Sequence, residues 1–178
     1  MNEISSRDVI SIYCQVNDFG ISIWIDGGWA VDALLEKQTR PHEDLDIVIE
    51  QADLPKLREF LLVLGYRDVE RDDTSSWNFV LGDEQGRLID VHAVVLDEDG
   101  NGLYGPIEKG ITYPAGSLTG HGVIDGHIVK CISPAHLVGF HTGYELRPQD
   151  LHDVALLCER FALALPAEYQ DHMHNGSY

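Results

Sequence analysis

The spacing of hydrophobic residues predicts a mixed α/β front followed by a helical back third. Apolar positions at helical spacing predict an amphipathic helix over residues 5–18, and the β-branched and aromatic run at 21–25 predicts a buried strand. A glycine pair then interrupts the apolar run, and residues 29–36 form a helical pattern. Residues 44–50 alternate between two faces, which predicts a strand. Asp44, Asp46 and Val48 lie on one face, and Leu45, Ile47 and Ile49 on the other.

The middle of the chain carries clear start and turn signals. Asp53 and Pro55 predict the beginning of an amphipathic helix, with Gly65 as its C-cap. The stretches 77–81 and 87–96 flank "GDEQG" and predict a hairpin, and the residues around Asp125-Gly126 predict a second one. A polar loop rich in Gly and Asp is predicted from residue 97 to about residue 110.

From Pro134 onward the pattern is helical, over residues 135–146 and again after Pro148. The tail beyond Pro166 lacks periodicity, and we expect it to be loose. These elements predict an α/β (α+β) protein with a mixed sheet flanked by helices. Residues 1–132 are predicted to form the core, and residues 133–178 a C-terminal helical region packed on it.

Composition narrows the class of partner. Thirty acidic side chains against twelve basic ones give a formal net charge of −18, which disfavours nucleic acid and favours cationic small molecules. A merely solubilising surface explains the same charge equally well. No apolar run reaches the roughly 18 residues of a membrane span, and the N-terminus lacks a signal-peptide pattern. Three widely spaced cysteines favour a reducing, cytoplasmic setting without disulfides.

Acidic residues on two predicted strands form the strongest chemical signal. Asp44 and Asp46 project from one face of a strand, where each raises the affinity of the other for a proton. A divalent cation relieves this repulsion, and oxygen ligands without thiolates indicate Mg²⁺ or Mn²⁺. Asp90 lies inside a second apolar strand and needs a partner, which the same metal would supply. His92 faces the same way as Asp90. The alternative is that Asp44 and Asp46 begin a solvent-facing strand edge and that Asp90 is an exposed alternate position of its strand.

The Gly27-Gly28 pair lies one predicted helix ahead of the first two acids. Glycines at a strand-to-helix turn let the backbone approach an anion, and the following helix offers free N–H groups and a positive dipole end. Arg40 and His42 precede the acids and are placed where a cation would meet phosphates. A loop arginine and a solvated histidine remain the alternative for these two residues.

Together these residues resemble the DNA-polymerase-β-like nucleotidyltransferases, with their Gly-Gly turn, helix, strand bearing two acids, and later strand bearing a third. The closer resemblance is to the lincosamide nucleotidyltransferases and their aminoglycoside relatives. It extends from Trp24 to Phe161 and is carried by "WIDGGWAVDALLEKQTRPHEDLDI", "LIDVHAVVLDEDG", "VKCISPAHLVGFHTGYEL" and "DLHDV". Trp29 replaces the serine that is common in the superfamily, and the antibiotic-modifying branch shares this replacement.

The resemblance implies a nucleotidyltransferase fold and an enzyme that transfers a nucleoside monophosphate from an NTP to a hydroxyl of a small cationic antibiotic, releasing pyrophosphate. A lincosamide is the first expected acceptor and an aminoglycoside the second. Asp44 and Asp46 would hold two Mg²⁺ ions, with Mn²⁺ as a substitute, and Asp90 would complete the metal site and act as general base. The implied nucleotide-binding residues are Gly27, Gly28, Trp29, Arg40 and His42.

The acceptor site is expected to draw on three residues. Tyr144 offers a flat wall with a polar tip for a sugar or a base, Asp150 would pair with a substrate amine, and His92 lies beside the third acid. An acid in the first turn of a helix after Pro148 explains Asp150 equally simply. A homodimer is expected, because relatives pair to shape one acceptor pocket.

The sequence is compatible with two other functions. One is a nucleotidyltransferase that modifies a protein or transfer RNA, as toxin–antitoxin relatives do. The acidic balance argues against RNA, which calls for clustered Lys and Arg. The other is a nucleotide-binding module without turnover, against which the presence of all three acids argues.

Overall fold

The computed structural model describes residues 3–106, 108, 110 and 112–175. Its helices are α1 Ser6–Asp18, α2 Gly27–Leu35, α3 Leu54–Val63, α4 Pro134–Phe140, α5 Pro148–Phe161 and α6 Ala167–Asn175. Its strands are β1 Ile23–Ile25, β2 Asp44–Glu50, β3 Arg67–Val69, β4 Asn78–Gly82, β5 Leu88–Leu96, β6 Gly102–Tyr104, β7 Thr112–Tyr113, β8 Gly120–Ile124 and β9 His127–Cys131. The predicted α/β class is confirmed.

One mixed sheet joins all the strands of the described residues. Its order is β3-β4-β5-β2-β1-β9-β8, and β6 and β7 extend from the far end of β5. β2 and β5 are parallel neighbours, and their register pairs Asp46 directly with Asp90. Because side chains alternate along a strand, Asp44 and His92 lie on the same face as this pair. Ile47 lies on the opposite face and is fully buried in the core.

The junction between β1 and α2 brings a helix N-terminus to the two acids of the Asp46–Asp90 pair. The backbone N–H of Asp26 donates to the carbonyl of Asp46 at 2.9 Å, which fixes the end of β1 against β2. Asp26 is also the N-cap of α2, and its side chain accepts from the N–H of Gly27 at 2.8 Å. Helix α2 then packs on β2, β8 and β9 and contacts α4 and α5.

The predicted turn chemistry is confirmed at two places. Asp125 and Gly126 both have positive φ, +48° and +78°, as a two-residue type I′ hairpin turn requires. Helix α3 ends at Val63, and Gly65 follows the C-cap residue Leu64 with a φ of +95°. The N–H of the next residue, Tyr66, donates to the carbonyl of Leu61 at 2.9 Å, which completes the expected helix C-terminus.

The bounds of two predicted elements, one loop and one helix, are wrong. The predicted polar loop contains β6, which pairs with β5 and β7. Three residues are too few to show a strand period, so the sequence carried no signal for it. Residues 107 and 109 of that loop lie outside the described residues. The helix predicted over 135–146 ends at Phe140. There the hydroxyl of Thr142 donates to the carbonyl of Gly139, and Gly143 adopts a φ of +85°.

The tail beyond Pro166 is a helix rather than a loose segment over the described residues. Tyr169 of α6 is 1% exposed, and its hydroxyl donates to the carbonyl of His141. The carboxylate of Glu168 accepts from the N–H of Gly143 at 3.2 Å. These contacts fix α6 on the segment that joins α4 to α5. Residues 176–178 of the predicted tail lie outside the described residues.

A bilayer span is not found among the described helices, since each of them is too short or too polar to cross a membrane.

Candidate active site

Three side chains of β2 and β5 converge on one face of the sheet. Asp46, Asp90 and His92 each place one potential ligand atom within 4.8 Å of the others. Nε2 of His92 lies 3.8 Å from Oδ1 of Asp46 and 3.8 Å from Oδ1 of Asp90. Asp44 precedes this cluster on the same strand face. The structure therefore brings together the three acids singled out in the sequence, and adds the histidine to them.

The acids of this cluster hold more negative charge than the described residues neutralise. Burial, followed by the charges of Asp46 and Asp90, raises the pKa of Asp44 to about 6. Burial also raises the pKa of Asp90; the nearby His92 opposes this rise and Asp46 adds to it. Among the described residues, the buried Oδ1 of Asp90 has no hydrogen-bond partner. The cluster therefore favours a positively charged guest.

The imidazole of His92 responds to the same field. Burial by itself would lower its pKa, but the carboxylates of Asp46, Asp26 and Asp90 together raise it to about 9. A field that favours a cationic ring also favours a metal cation. Two carboxylates and one imidazole form a donor set that a divalent cation accepts, so the residues present fit the metal that the sequence predicts.

Asp26 is a fourth acid of the site, and the sequence analysis did not single it out. It is buried, and the hydroxyl of Tyr113 donates to its Oδ2 at 3.0 Å. Burial raises its pKa, and the charge of Asp46 adds to this effect while His92 opposes it. An Asp directly before a glycine pair at a helix start is an N-cap signature, and this signal would have identified it.

Gly27 allows Asp46 to lie against the N-terminus of α2. Its φ is +55°, a conformation that favours glycine. A Cβ at this position would lie 2.1 Å from Oδ2 of Asp46, which no real side chain permits. The glycine is therefore required both by its backbone and by the carboxylate beside it.

A cleft of about 280 Å³ opens beside Asp46. Its walls are largely aromatic: the rings of Tyr104 and Tyr113 meet edge-on at 5.8 Å, and those of Tyr113 and Phe140 at 5.1 Å. Two of these rings come from β6 and β7. Strand β6 lies within the predicted polar loop, and β7 follows that loop. The lining residues are Asp26, Gly27, Asp46, Tyr104, Thr112, Tyr113, Phe140 and His141.

Three of the predicted nucleotide-binding residues meet at the first turn of α2: Gly28 and Trp29 belong to the helix, and His42 packs against it. His42 is 3% exposed, and its Nε2 lies 2.5 Å from Oδ2 of the buried Asp32. The ring of Trp29 lies 4.7 Å from that of His42. A Cβ on Gly28 would lie 2.4 Å from Nδ1 of His42. These three residues do not line the 280 Å³ cleft. Their contact with a nucleotide stays a prediction.

Arg40 joins the core to the C-terminal helices. Its Nε lies 3.0 and 3.1 Å from the two carboxylate oxygens of Asp153, and its Nη2 lies 2.6 Å from one of them. Asp153 belongs to α5 and is 1% exposed. This bidentate pair already engages the guanidinium that was predicted to contact phosphate. A contact of Arg40 with phosphate stays a prediction.

The two acceptor residues predicted from the back third lie outside the 280 Å³ cleft. Asp150 accepts from the backbone N–H of Arg147 at 2.8 Å and from its guanidinium at 3.0 Å. Burial would raise the pKa of Asp150, but the hydrogen bonds and charge of Arg147 lower it overall. Tyr144 is half-exposed and lines a separate depression, with Glu145, Leu146, Glu168, Asp171 and His172. Their roles toward an acceptor stay predictions.

Arg71 is a cation of the site that the sequence analysis did not single out. It is exposed on the segment between β3 and β4, and its charge lowers the pKa of both Asp44 and Asp90, against the effect of their burial. No local sequence signal marks it, because β4 approaches the acids only through its pairing with β5.

Comparisons with known proteins agree with this geometry. A family model described as aminoglycoside-2''-adenylyltransferase matches residues 8–157. A lincosamide resistance protein of Staphylococcus haemolyticus is 28% identical over 153 residues, which cover 86% of this chain and 94% of the relative. A 2''-aminoglycoside nucleotidyltransferase of Escherichia coli is 30% identical over 145 residues, which cover 78% of this chain and 75% of the relative.

Two solved structures share the fold. The lincosamide antibiotic adenylyltransferase LnuA, bound to lincomycin, superposes with a TM-score of 0.77 at 26% identity and covers 92% of this chain and 100% of its own. ANT(2'')-Ia in complex with adenylyl-2''-tobramycin superposes with a TM-score of 0.72 at 21% identity and covers 94% of this chain and 98% of its own.

Proposed function

Because the chain belongs to the aminoglycoside-2''-adenylyltransferase family, we propose that it transfers a nucleoside monophosphate from an NTP to a hydroxyl of a small cationic antibiotic, with release of pyrophosphate. The chain is a nucleotidyltransferase, and the resemblance noted in its sequence is confirmed. A lincosamide is the first proposed acceptor, because the lincosamide resistance protein aligns over most of both chains. An aminoglycoside is the second.

The observation that carries this proposal is the pairing of Asp46 with Asp90 beside an open cleft. The two residues are register partners on parallel strands, and Oδ1 of Asp90 has no hydrogen-bond partner among the described residues. The raised pKa of Asp44 marks the same excess of negative charge. Asp44, Asp46 and Asp90 would hold Mg²⁺ ions, two in number and replaceable by Mn²⁺. These ions would neutralise the charge that develops on the phosphates.

The chain's own residues bind the nucleotide around this point. The N-terminal turn of α2 presents the positive end of its dipole at Gly27, which lines the cleft. Arg71 is exposed and within electrostatic reach of Asp44 and Asp90, where its guanidinium would meet the β- and γ-phosphates. Gly28, Trp29, Arg40 and His42 are the further proposed nucleotide contacts, and Arg40 and His42 lie against Gly28 at the start of α2.

The acceptor binds on the aromatic side of the cleft. Tyr104, Tyr113 and Phe140 offer an apolar wall for a sugar ring, and the buried Asp26 attracts an amine. In the transfer step the acceptor hydroxyl oxygen attacks the α-phosphorus, the bond from that phosphorus to the bridging oxygen breaks, and pyrophosphate leaves. The hydroxyl proton passes to the carboxylate of Asp90, whose burial raises its pKa and suits it to the role of base.

The setting of the enzyme follows from its substrates. An NTP-dependent enzyme acting on a drug that has entered the cell would work in the cytoplasm. A homodimer in which a partner chain completes the acceptor site is part of the proposal.

The test is pyrophosphate release from ATP or GTP with Mg²⁺, measured with and without lincomycin, clindamycin and kanamycin. We expect release only when a drug is present, and a mass increase of the drug by one nucleoside monophosphate. Asp90→Asn should abolish the signal, whereas Asp125→Asn, in the hairpin turn far from the acids along the sheet, should retain it. Release only with a protein or transfer RNA would replace the acceptor. Tight NTP binding without release under any condition would replace the reaction by a binding function.

A further inference from the structure

A chain of hydrogen bonds leads away from the acid cluster through four side chains. Nδ1 of His92 lies 3.1 Å from the hydroxyl of Tyr104, and this hydroxyl lies 2.8 Å from Oδ1 of Asn78. Nδ2 of Asn78 lies 3.0 Å from Oδ2 of Asp73 and 3.4 Å from the backbone carbonyl of Asp73. The other ring nitrogen of His92, Nε2, faces Asp46.

The chemistry of these groups gives the chain a single direction. Oδ2 and the backbone carbonyl oxygen of Asp73 can only accept hydrogen bonds. The amide nitrogen of Asn78 must therefore face them, and its Oδ1 must face Tyr104. A carbonyl oxygen only accepts, so Tyr104 must donate its single proton to Asn78. The Tyr104 oxygen can then only accept, and the proton between Tyr104 and His92 must belong to Nδ1.

Two features keep the chain in this direction. Asn78 and His92 are register partners on β4 and β5, and Tyr104 on β6 is the register partner of Val94, so the sheet fixes the backbones. Burial, with added repulsion from Asp90 and Asp73, raises the pKa of Tyr104 above its ordinary value, so its phenol keeps its proton.

We infer that Asn78 and Tyr104 are positioning residues that hold a proton on Nδ1 of His92 and so present Nε2 to the carboxylates of Asp46 and Asp90 as a nitrogen ligand for a divalent cation. This inference rests on the cation binding included in the proposed function. Partners of a metal-bound histidine commonly fix its tautomer and orientation in this way. Mg²⁺ strongly prefers oxygen ligands, and an imidazole ligand suits Mn²⁺ better. The hydrogen-bonded His92 therefore favours Mn²⁺ over Mg²⁺.

The first measurement is the affinity of the purified protein for Mn²⁺ and for Mg²⁺, without acceptor or turnover. Tyr104→Phe removes the hydroxyl and keeps the ring, and we expect it to weaken Mn²⁺ binding about tenfold, the lower end of the effect of such partners. The loss for Mg²⁺ should be smaller. Tyr66→Phe is the matched control: it removes a buried hydroxyl on the segment between α3 and β3 and should leave both affinities unchanged.

A second pair of variants separates positioning from general damage. In a His92→Ala background, Tyr104→Phe should cause no further loss of Mn²⁺ affinity, because its effect acts through the missing imidazole. Asn78→Leu removes the acceptor of Tyr104 and frees its hydroxyl to donate to Nδ1 of His92. We expect this variant to move the ring proton to Nε2 and to weaken Mn²⁺ binding like Tyr104→Phe.

The tautomer itself is observable by ¹⁵N NMR of the histidine ring in the protein saturated with Zn²⁺, a diamagnetic ion that readily binds an imidazole nitrogen and would displace the second ring proton. The expected spectrum has a protonated Nδ1 and an unprotonated Nε2 for His92, and Asn78→Leu should reverse it. A protonated Nε2 in the Zn²⁺-saturated parent protein, or equal Mn²⁺ affinities of the parent and Tyr104→Phe, would overturn the inference. Either result would overturn this inference and leave the proposed function standing. A protein with the expected tautomer and no drug-dependent turnover would refute the proposed function alone.

Discussion

The carboxylate of Asp46 occupies the space in which any side chain at position 27 would begin. Replacing Gly27 by Ala would put a Cβ 2.1 Å from Oδ2 of Asp46 and would also strain a backbone with a φ of +55°. We expect Gly27→Ala to displace the carboxylate and to lower kcat on the order of 100-fold, as misplacement by about 1 Å does. Steady-state pyrophosphate release with drug and NTP measures this.

Gly126 provides the control for backbone strain alone. Its φ is +78°, and a Cβ there meets nothing within 4 Å. Gly126→Ala should therefore cost stability but leave kcat near that of the parent. If both substitutions lowered kcat equally, strain rather than contact with Asp46 would explain the loss.

Arg71 is the exposed cation whose charge acts on both Asp44 and Asp90. We expect Arg71→Gln to raise the KM for NTP about tenfold, since one charge-assisted contact to a phosphate is worth about 1.5–3 kcal/mol. The KM for the drug should change little. Arg7→Gln, on the exposed side of α1, is the matched control and should alter neither value. An unchanged KM for NTP in Arg71→Gln would remove Arg71 from the nucleotide site.

At the level of elements, the Arg40–Asp153 pair connects the loop before β2 to helix α5. Arg40→Gln would leave the carboxylate of Asp153, which is 1% exposed, without its cation. Because Arg40 itself is partly exposed, we expect a loss of about 2–3 kcal/mol in the free energy of unfolding, below the full cost of breaking a buried pair. Urea denaturation measures this, with Arg7→Gln as the control. A loss of free energy of unfolding below about 0.5 kcal/mol would show that solvent replaces the Arg40–Asp153 ion pair.

The elements that the sequence predicted are those whose signal lies within a few neighbouring residues. Strict alternation identified β2, and it placed Asp44 and Asp46 on one face before any topology was known. Turn chemistry identified the Asp125-Gly126 hairpin. The strands β6 and β7 have three and two residues, too few for a period. Strand β6 forms because β5 offers it an edge for pairing, and β7 pairs in turn with β6. Helix α6 depends on the tertiary contact of Tyr169 with His141.

The same distinction explains the site. The acids followed from periodicity, because each sits within its own strand pattern. The roles of Arg40 and His42 depend on partners distant in sequence: Asp153 lies 113 residues from Arg40, and no local pattern connects them. Tyr104 likewise reaches His92 only through strand pairing. Local periodicity thus identified charged residues, whereas the contacts that decide what each charge does arise from the fold.

On the scale of the whole molecule, the formal net charge of −18 changes the rate at which charged substrates reach the cleft. A negatively charged surface attracts a cationic drug over distances that salt screens, because the Debye length is about 10 Å at 0.1 M ionic strength. At saturating NTP and Mg²⁺, we expect kcat/KM for kanamycin to fall roughly three- to tenfold between 50 mM and 500 mM salt. The value for lincomycin, which carries a single amine, should fall less. Initial-rate assays over a salt series measure how steeply kcat/KM falls with salt concentration for each drug. Equal slopes for the two drugs would mean that local contacts in the cleft, rather than the net charge, govern binding of the acceptor.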